Sequence, residues 1–503
     1  MLRPLPASFA VLLLLTPLSA EDLGGGKTAS HGRVPRFVLD SWLPGKPTAF
    51  RFVDLPSPGP GIALLSTKGA NLQVPGIGTL VVDITSPAFF AFVVNGSVLL
   101  QLPRGLDGAS LYIQGVYLDK NQAGLTDGTR VDVFTPVAMV GNQRQSANSL
   151  SVIDIQARAV TQRLPNSENG YITFSSDRRF AYVCEPGSQR NRVVFYDLSR
   201  RPITVRGTAS VSGGIRYGCD VSRDGKRLYA PVHDGVAVVD SDPTSTTFMK
   251  ELFKISTKIT GNSGTILTGP LDVAVTPDGR KLYVSHGEKL VYPAKSHVSV
   301  IDLTKTPPTE KLIPITTGGT LRLSASLEFA THPRIKVSLD GLWVYVCEWG
   351  VDPAKLGQFV RGFANGGLVK AIFTPIDQEF AVVPTQGFQA SELAVDRMQR
   401  NVWVAQLGRG GYGEVLRVDI DKHSTQRFKG TRTLRIDPVA YQTGGGPLGI
   451  DTTPDGALVY VSVAEDSAHR IPQVVTIDAL TNKVVGAPIR VESLCATLRI
   501  QQR

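Results

Sequence analysis

Charge is scarce in this 503-residue sequence, at 19% of residues, while apolar residues make up 42%. That balance excludes a charge-rich disordered chain and supplies a packed interior. No stretch keeps a helical apolar period for long, so helical bundles and coiled coils are excluded. No run of about 20 apolar residues occurs, so no transmembrane segment is expected. Enzyme signatures are missing as well. There is no GxSxG elbow, HExxH helix, CxxCH haem attachment or Walker loop, and no cofactor is evident. Lysine and arginine exceed aspartate and glutamate by ten, yet they form no run resembling a nucleic-acid arm. No nucleic-acid partner is therefore expected. The scattered excess instead suits polyanions such as acidic glycans or envelope polymers, or a mildly basic solvated surface.

Glycine (50) and proline (33) are plentiful, as in a turn-rich all-β chain. The stretch Leu271 to Leu303 shows why. An apolar run meets Pro277-Asp278-Gly279, a second run Leu282-Tyr283-Val284 follows, and an alternating run ends in Val300-Ile301-Asp302. Asp-Gly between apolar runs is a strong hairpin signal, because both residues tolerate the positive φ of tight turns. The unit recurs, with second-strand aromatics at Tyr182, Tyr229, Tyr283, Tyr345, Trp403 and Tyr460, 47 to 62 residues apart. Such spacing suits a four-stranded blade. A third-strand signature ends at Asp154, Asp197, Asp240, Asp302, Asp419 and Asp478, and the copy containing Tyr345 lacks a clean version. SLSVIDI at 149–155 precedes the first full hairpin, and LCATLRI at 494–500 is a strand without one. If the C-terminal strand pairs near Val137 to Val140, the repeats close into seven blades without free sheet edges.

The tetrapeptides YVCE (182–185 and 345–348), YVSH (283–286) and YVSV (460–463), with TPDG before them and VSVID or VVTID after, resemble the YVTN family of bacterial and archaeal β-propellers. The resemblance implies a seven-bladed β-propeller over residues 135–503. The family includes surface-layer and cell-envelope proteins, and related propellers carry lactonase or haem-enzyme activity. Arg178, and Arg397-Met398-Gln399, depart from the PDG pattern, and wider turns are expected there.

Residues 1–20 read as a signal peptide: Arg3, an apolar core from Phe9 to Leu15, and small Ser19-Ala20. Export to the periplasm, cell surface or medium is the expectation. Residues 21–34 read as a flexible tether. Residues 35–134 read as a small β-sandwich or jelly roll, with strands near Thr48 to Val53, Gly61 to Leu65, Gly78 to Asp83, Ala88 to Val94, Ser97 to Leu102, Ser110 to Tyr117 and Arg130 to Phe134. Asn95-Gly96-Ser97 reads as a hairpin turn. This stretch resembles a short β domain of large exported bacterial proteins, one that carries no assigned chemistry.

In such a ring, ligand groups gather at the channel mouth, where strand two ends and strand one begins. The candidates there are Glu185, His233, Asp272, His286, His332, Arg334, Glu348, Glu392 and Gln406, with Tyr171 beside them. A mixed His/carboxylate set can hold a divalent metal or act as acid and base, although no pair has ligand spacing. The plainer reading is a solvated polar rim. The four cysteines allow three full pairings, or buried free thiols. Ring closure would make Cys184 the nearest partner of Cys495. A monomeric binding or scaffold protein of the cell envelope, with a polymer, glycan or protein partner, is the first expectation. A channel-mouth enzyme, either a metal-dependent lactonase-like hydrolase or a cofactor-dependent redox enzyme, is the alternative.

Overall fold

The structure, a computed structural model, describes most of residues 136–501 and chiefly the strands of residues 22–135. Among the segments outside the described residues are 1–21, 25–35, 54–59, 102–109, 186–190, 261–268, 288–296, 330–333, 349–366, 408–412, 436–446 and 464–471. The expected signal peptide and His332 fall there, as does most of the expected tether. Every regular element among the described residues is a β-strand, and no helix is long and apolar enough to cross a membrane. The chain forms two compact units, Met1–Thr135 and Pro136–Arg503.

The first unit contains a six-stranded antiparallel sheet, a three-stranded sheet and a two-stranded ribbon. Leu64, Leu80, Val82 and Leu125 form its apolar centre. The strand Phe90–Asn95 pairs with Pro60–Ser66, whereas Ser97–Gln101 pairs with Pro47–Val53. The strands on either side of Gly96 thus lie in different sheets and do not form the expected hairpin with each other. Asn-Gly serves a bend as readily as a two-residue hairpin, and local sequence does not say which.

Among the described residues the second unit has seven antiparallel sheets of four or more strands, six of them four-stranded and the last five-stranded, and a two-stranded ribbon of Leu321–Ser324 with Leu327–Phe329. Their shared hairpin has a clear physical basis. In the fourth sheet, Thr276 Oγ1 donates to Asp278 Oδ1 at 2.5 Å and accepts from the Lys281 amide at 3.0 Å. Ser175 with Asp177, Ser222 with Asp224, and Ser338 with Asp340 repeat this device. The residue after the aspartate takes positive φ: Gly225 at 72°, Gly279 at 69° and Gly341 at 71°. The expected wider turns at Arg178 and Gln399 are not found. Both residues adopt the same left-handed φ, 63° and 54°, and their amides bond to Ser175 and Asp396 as the glycines' amides do in their turns. The hairpin's own hydrogen bonds impose that backbone on residues with a Cβ. One strand later, Tyr182, Tyr229, Tyr283, Tyr345, Trp403 and Tyr460 are all buried, each such ring worth roughly 2–3 kcal/mol. Third-strand aspartates cap the next turn, as when Asp302 Oδ1 accepts from the Thr304 amide at 2.9 Å. In the fifth sheet the corresponding register position holds Phe373, opposite Trp343 with ring centroids 4.9 Å apart.

The first strands are Tyr171–Phe174, Asp220–Val221, Gly269–Val275, Arg334–Val337, Gln389–Val395 and Pro447–Thr452, in the second to seventh sheets. Each touches the next, and both ends of the series touch Leu494–Ile500. That C-terminal strand pairs with Val137–Gln143 in the first sheet, Val140 opposite Leu498. Backbone groups that a lone terminal strand would leave open are satisfied there. Away from the centre, acids on fourth strands tie sheets together. Glu251 accepts from the Ser212 amide at 2.5 Å, Glu310 from Lys258 at 2.6 Å and Glu379 from Thr316 at 2.8 Å.

Candidate functional site at the centre of the sheets

Along a strand, residues two apart share a face. Four residues before the hairpin's Ser175, Ser222, Thr276, Ser338 and Asp396 stand Tyr171, Gly218, Asp272, Arg334 and Glu392. Two residues before Ser222, Ser338 and Thr453 stand Asp220, Lys336 and Asp451, and Arg499 lies on the C-terminal strand. Chemistry-bearing side chains of seven sheets are therefore directed to one centre.

Arg334 is its hub. Its Nη2 lies 3.4 Å from Glu392 Oε2, its Nη1 lies 3.7 Å from Asp272 Oδ2, and Arg499 Nη2 is 3.0 Å from the same Glu392 oxygen. The guanidinium also stacks over Tyr171, 4.2 Å from the ring centroid, and Tyr217 packs edge-on against Tyr171 at 5.2 Å. Cation–π contact of this kind is worth about 1–2 kcal/mol when desolvated. The fit is tight, because a Cβ on Gly218 would stand 1.5 Å from Asp272 Oδ1.

The carboxylates are also bonded to backbone. Asp220 Oδ2 accepts from Val275 in the next sheet at 2.9 Å, Asp272 Oδ2 from Ile335 at 3.2 Å, and Asp451 Oδ2 from Ile500 at 2.8 Å. Burial pushes the carboxyls of Asp220, Asp272 and Asp451 above the ordinary range, and nearby cations only partly counter it. Glu392 differs. Burial works against its charge too, but Arg499 and Arg334 together outweigh it and hold the carboxyl below its usual value. For Arg334, burial opposes the charge, and Tyr171, Glu392 and Asp272 more than offset it.

The structure thus brings Asp272, Arg334 and Glu392 together and leaves the other candidates elsewhere. Glu185, His286, Glu348 and Gln406 are not rim residues; all are buried at the ends of second strands, and only Gln406 reaches another sheet in the contacts described, its Nε2 donating to the Thr385 carbonyl at 3.0 Å. Glu185 pairs with Arg192 at 2.6 Å, and Glu348 with the equally buried Lys370. Gln406 Nε2 donates to Glu414 at 3.2 Å. His286 Nε2 meets Ser299 Oγ at 2.7 Å, and burial, with His297 adding, pushes its pKa down to about 3. His233 sits in the two-residue turn after Arg227–Val232, its Nδ1 accepting from the Gly214 amide at 3.1 Å. Among the described residues no three His, Cys, Asp or Glu side chains are placed to hold a metal ion. Cys184, Cys219 and Cys347 are free, buried thiols in this structure, and no bridge is seen among the described residues. The Cys495 side chain lies outside the described residues, although its backbone pairs with Asn142.

Sequence reasoning missed Tyr217, Asp220, Lys336, Asp451 and Arg499. For Asp220, Lys336 and Asp451 the signal was available in the position two before each hairpin Ser or Thr; Tyr217 and Arg499 stand at neither counted position.

No family model matches the chain, and no curated protein matches it. Among solved structures, it is similar to hydrazine synthase of Kuenenia stuttgartiensis, at 18% identity over 68% of this chain and 89% of that chain, with a TM-score of 0.45. The periplasmic gluconolactonase of Pseudomonas aeruginosa is 16% identical over 73% and 98%, with a TM-score of 0.49. The Swd1 β-propeller domain of Myceliophteria thermophila is 9% identical over 64% and 86%, with a TM-score of 0.44. At these scores the likenesses carry no argument about chemistry, which rests on the residues described above.

Proposed function

We propose that the second unit is a seven-bladed β-propeller of the YVTN type, and that the chain is an exported binding or scaffold protein of the cell envelope. One observation carries this reading: the central charges are engaged with one another and with the backbone of the adjacent sheet. Groups held in this way brace the ring, and recognition falls to its outer surface and loops. The net charge of +10 favours an anionic partner, an envelope polymer or acidic glycan. The signal-like residues 1–20 favour export, and the first unit would serve as an attachment or spacing module. Co-sedimentation of the purified mature chain with envelope fractions, at low and moderate salt, tests the proposal. Saturable binding that weakens with salt supports it, and absence of saturable binding at either salt counts against it.

A channel-mouth enzyme, lactonase-like or redox, is the second reading. It is favoured by the raised carboxyl pKa values of Asp272 and Asp220 beside Arg334 and Lys336, because perturbed acids cluster at catalytic sites. Elemental analysis, a visible spectrum and a lactone-turnover assay separate the readings. Stoichiometric metal, a cofactor band, or turnover lost in Asp272→Asn would favour the enzyme.

A further inference from the structure

We propose that Cys184 and Cys219 are a disulfide-forming pair, a covalent tie between the second and third sheets beside the seat of Arg334. Cys184 stands directly opposite Tyr171 in the strand register, and Cys219 Sγ donates to the Tyr171 carbonyl at 3.5 Å. Both are free thiols in this structure, and they pack in one apolar cluster that includes Tyr182, Phe195 and Val232, each meeting the same residue, Tyr171. Both are buried, at 0% and 3% exposure.

The fifth sheet supplies an internal control. Its Cys347 belongs to the same YVCE tetrapeptide and pairs with Arg334 as Cys184 pairs with Tyr171. Yet its thiol faces the Ala390 carbonyl, at 3.9 Å, in an apolar cluster whose described members include no second cysteine. The same motif thus stands once in a cluster with another thiol and once in a cluster without one.

The reaction is ordinary thiol–disulfide exchange with a small-molecule disulfide. Cys184 and Cys219 lose two protons and two electrons and gain one S–S bond, while the oxidant is reduced to two thiols. Burial holds the Cys184 thiol well above its usual pKa and so makes it a poor leaving group, and the closed disulfide resists attack by outside thiols. The tie would fix both rings beside Arg334, since Tyr171 faces Cys184 and Tyr217 lies two residues before Cys219.

The test uses the full chain, produced once in an oxidising compartment and once in a reducing one, alkylated under denaturing conditions and mapped as unreduced peptides. The expected result is a Cys184–Cys219 linked peptide in the oxidised sample only, with two fewer titratable thiols and Cys347 alkylated in both samples. Four alkylated cysteines in the oxidised sample, or Cys184 linked to Cys347 or Cys495, overturns the proposal. Variants add a second readout: Cys219→Ser should abolish the difference in melting temperature between the two samples, and Cys347→Ser should preserve it. The peptide map of the unaltered chain decides the matter even if Cys219→Ser fails to fold.

Discussion

Two sets of buried polar side chains divide the second unit. The central set, Asp272, Arg334, Glu392 and Arg499, joins four different sheets, and each member has more than one partner. The strand-two set, Glu185, His286 and Glu348, is also buried, but the contacts described for it stay within one sheet, whereas its neighbour in kind, Gln406, also donates to Thr385 of the adjacent sheet. Burial is similar in the two sets, the partly exposed Arg499 apart, so burial alone does not distinguish them. What differs is the span of the interaction: the first set determines how sheets meet, and the second determines how one sheet's far end is packed.

The largest effect should come from removing a strand on which the central set depends. Deleting residues 494–503 takes away Arg499 and the partner of Val137–Gln143. A fall in melting temperature of about 10 °C or more, with aggregation through the opened edge, is expected by thermal unfolding and light scattering. The local set should behave differently. Lys370→Ala strands Glu348 as a buried carboxylate and should cost about 3–5 kcal/mol in urea unfolding. Combining Lys370→Met with Glu348→Leu should recover most of that loss, because the pair serves one sheet alone.

His286 sharpens the comparison through pH. Its folded pKa of about 3 lies below the ordinary 6.5, so between these values the unfolded chain binds a proton that the folded chain does not. Stability should therefore fall with falling pH, by up to about 1.4 kcal/mol per unit. Denaturation midpoints from pH 7 to 4 should show a shallower slope in His286→Asn than in the unaltered chain. The smallest effect is expected at the hairpins. Arg178→Gly relieves a left-handed backbone at φ 63° and should stabilise by up to about 1 kcal/mol, after the entropy that glycine adds to the unfolded chain. Differential scanning calorimetry would read this as a rise of a few degrees at most.

Sequence carried the repeat well. Each Ser/Thr-x-Asp-Gly turn and buried aromatic obeys local rules, and the pairing of Leu494–Ile500 with Val137–Gln143 follows from one orphan strand at each end. The fifth sheet was hard to read because Phe373 replaces the capping aspartate and residues 349–366 separate its second and third strands. The site was half legible. Asp272, Arg334 and Glu392 were found as strand-one residues, but which carboxylate meets which guanidinium depends on contacts between sheets that no local pattern contains. Glu348 and His286 were misjudged as rim residues because a polar strand end looks alike whether it meets water or a partner such as Lys370 or Ser299.

A double-mutant cycle on Glu392 and Arg499, from the sixth and first sheets, tests the claim that the central charges tie sheets together. Unfolding free energies of Glu392→Gln, Arg499→Met and the double variant should give a coupling of about 2–3 kcal/mol. A coupling below about 0.5 kcal/mol, with the single variants near neutral, would contradict it.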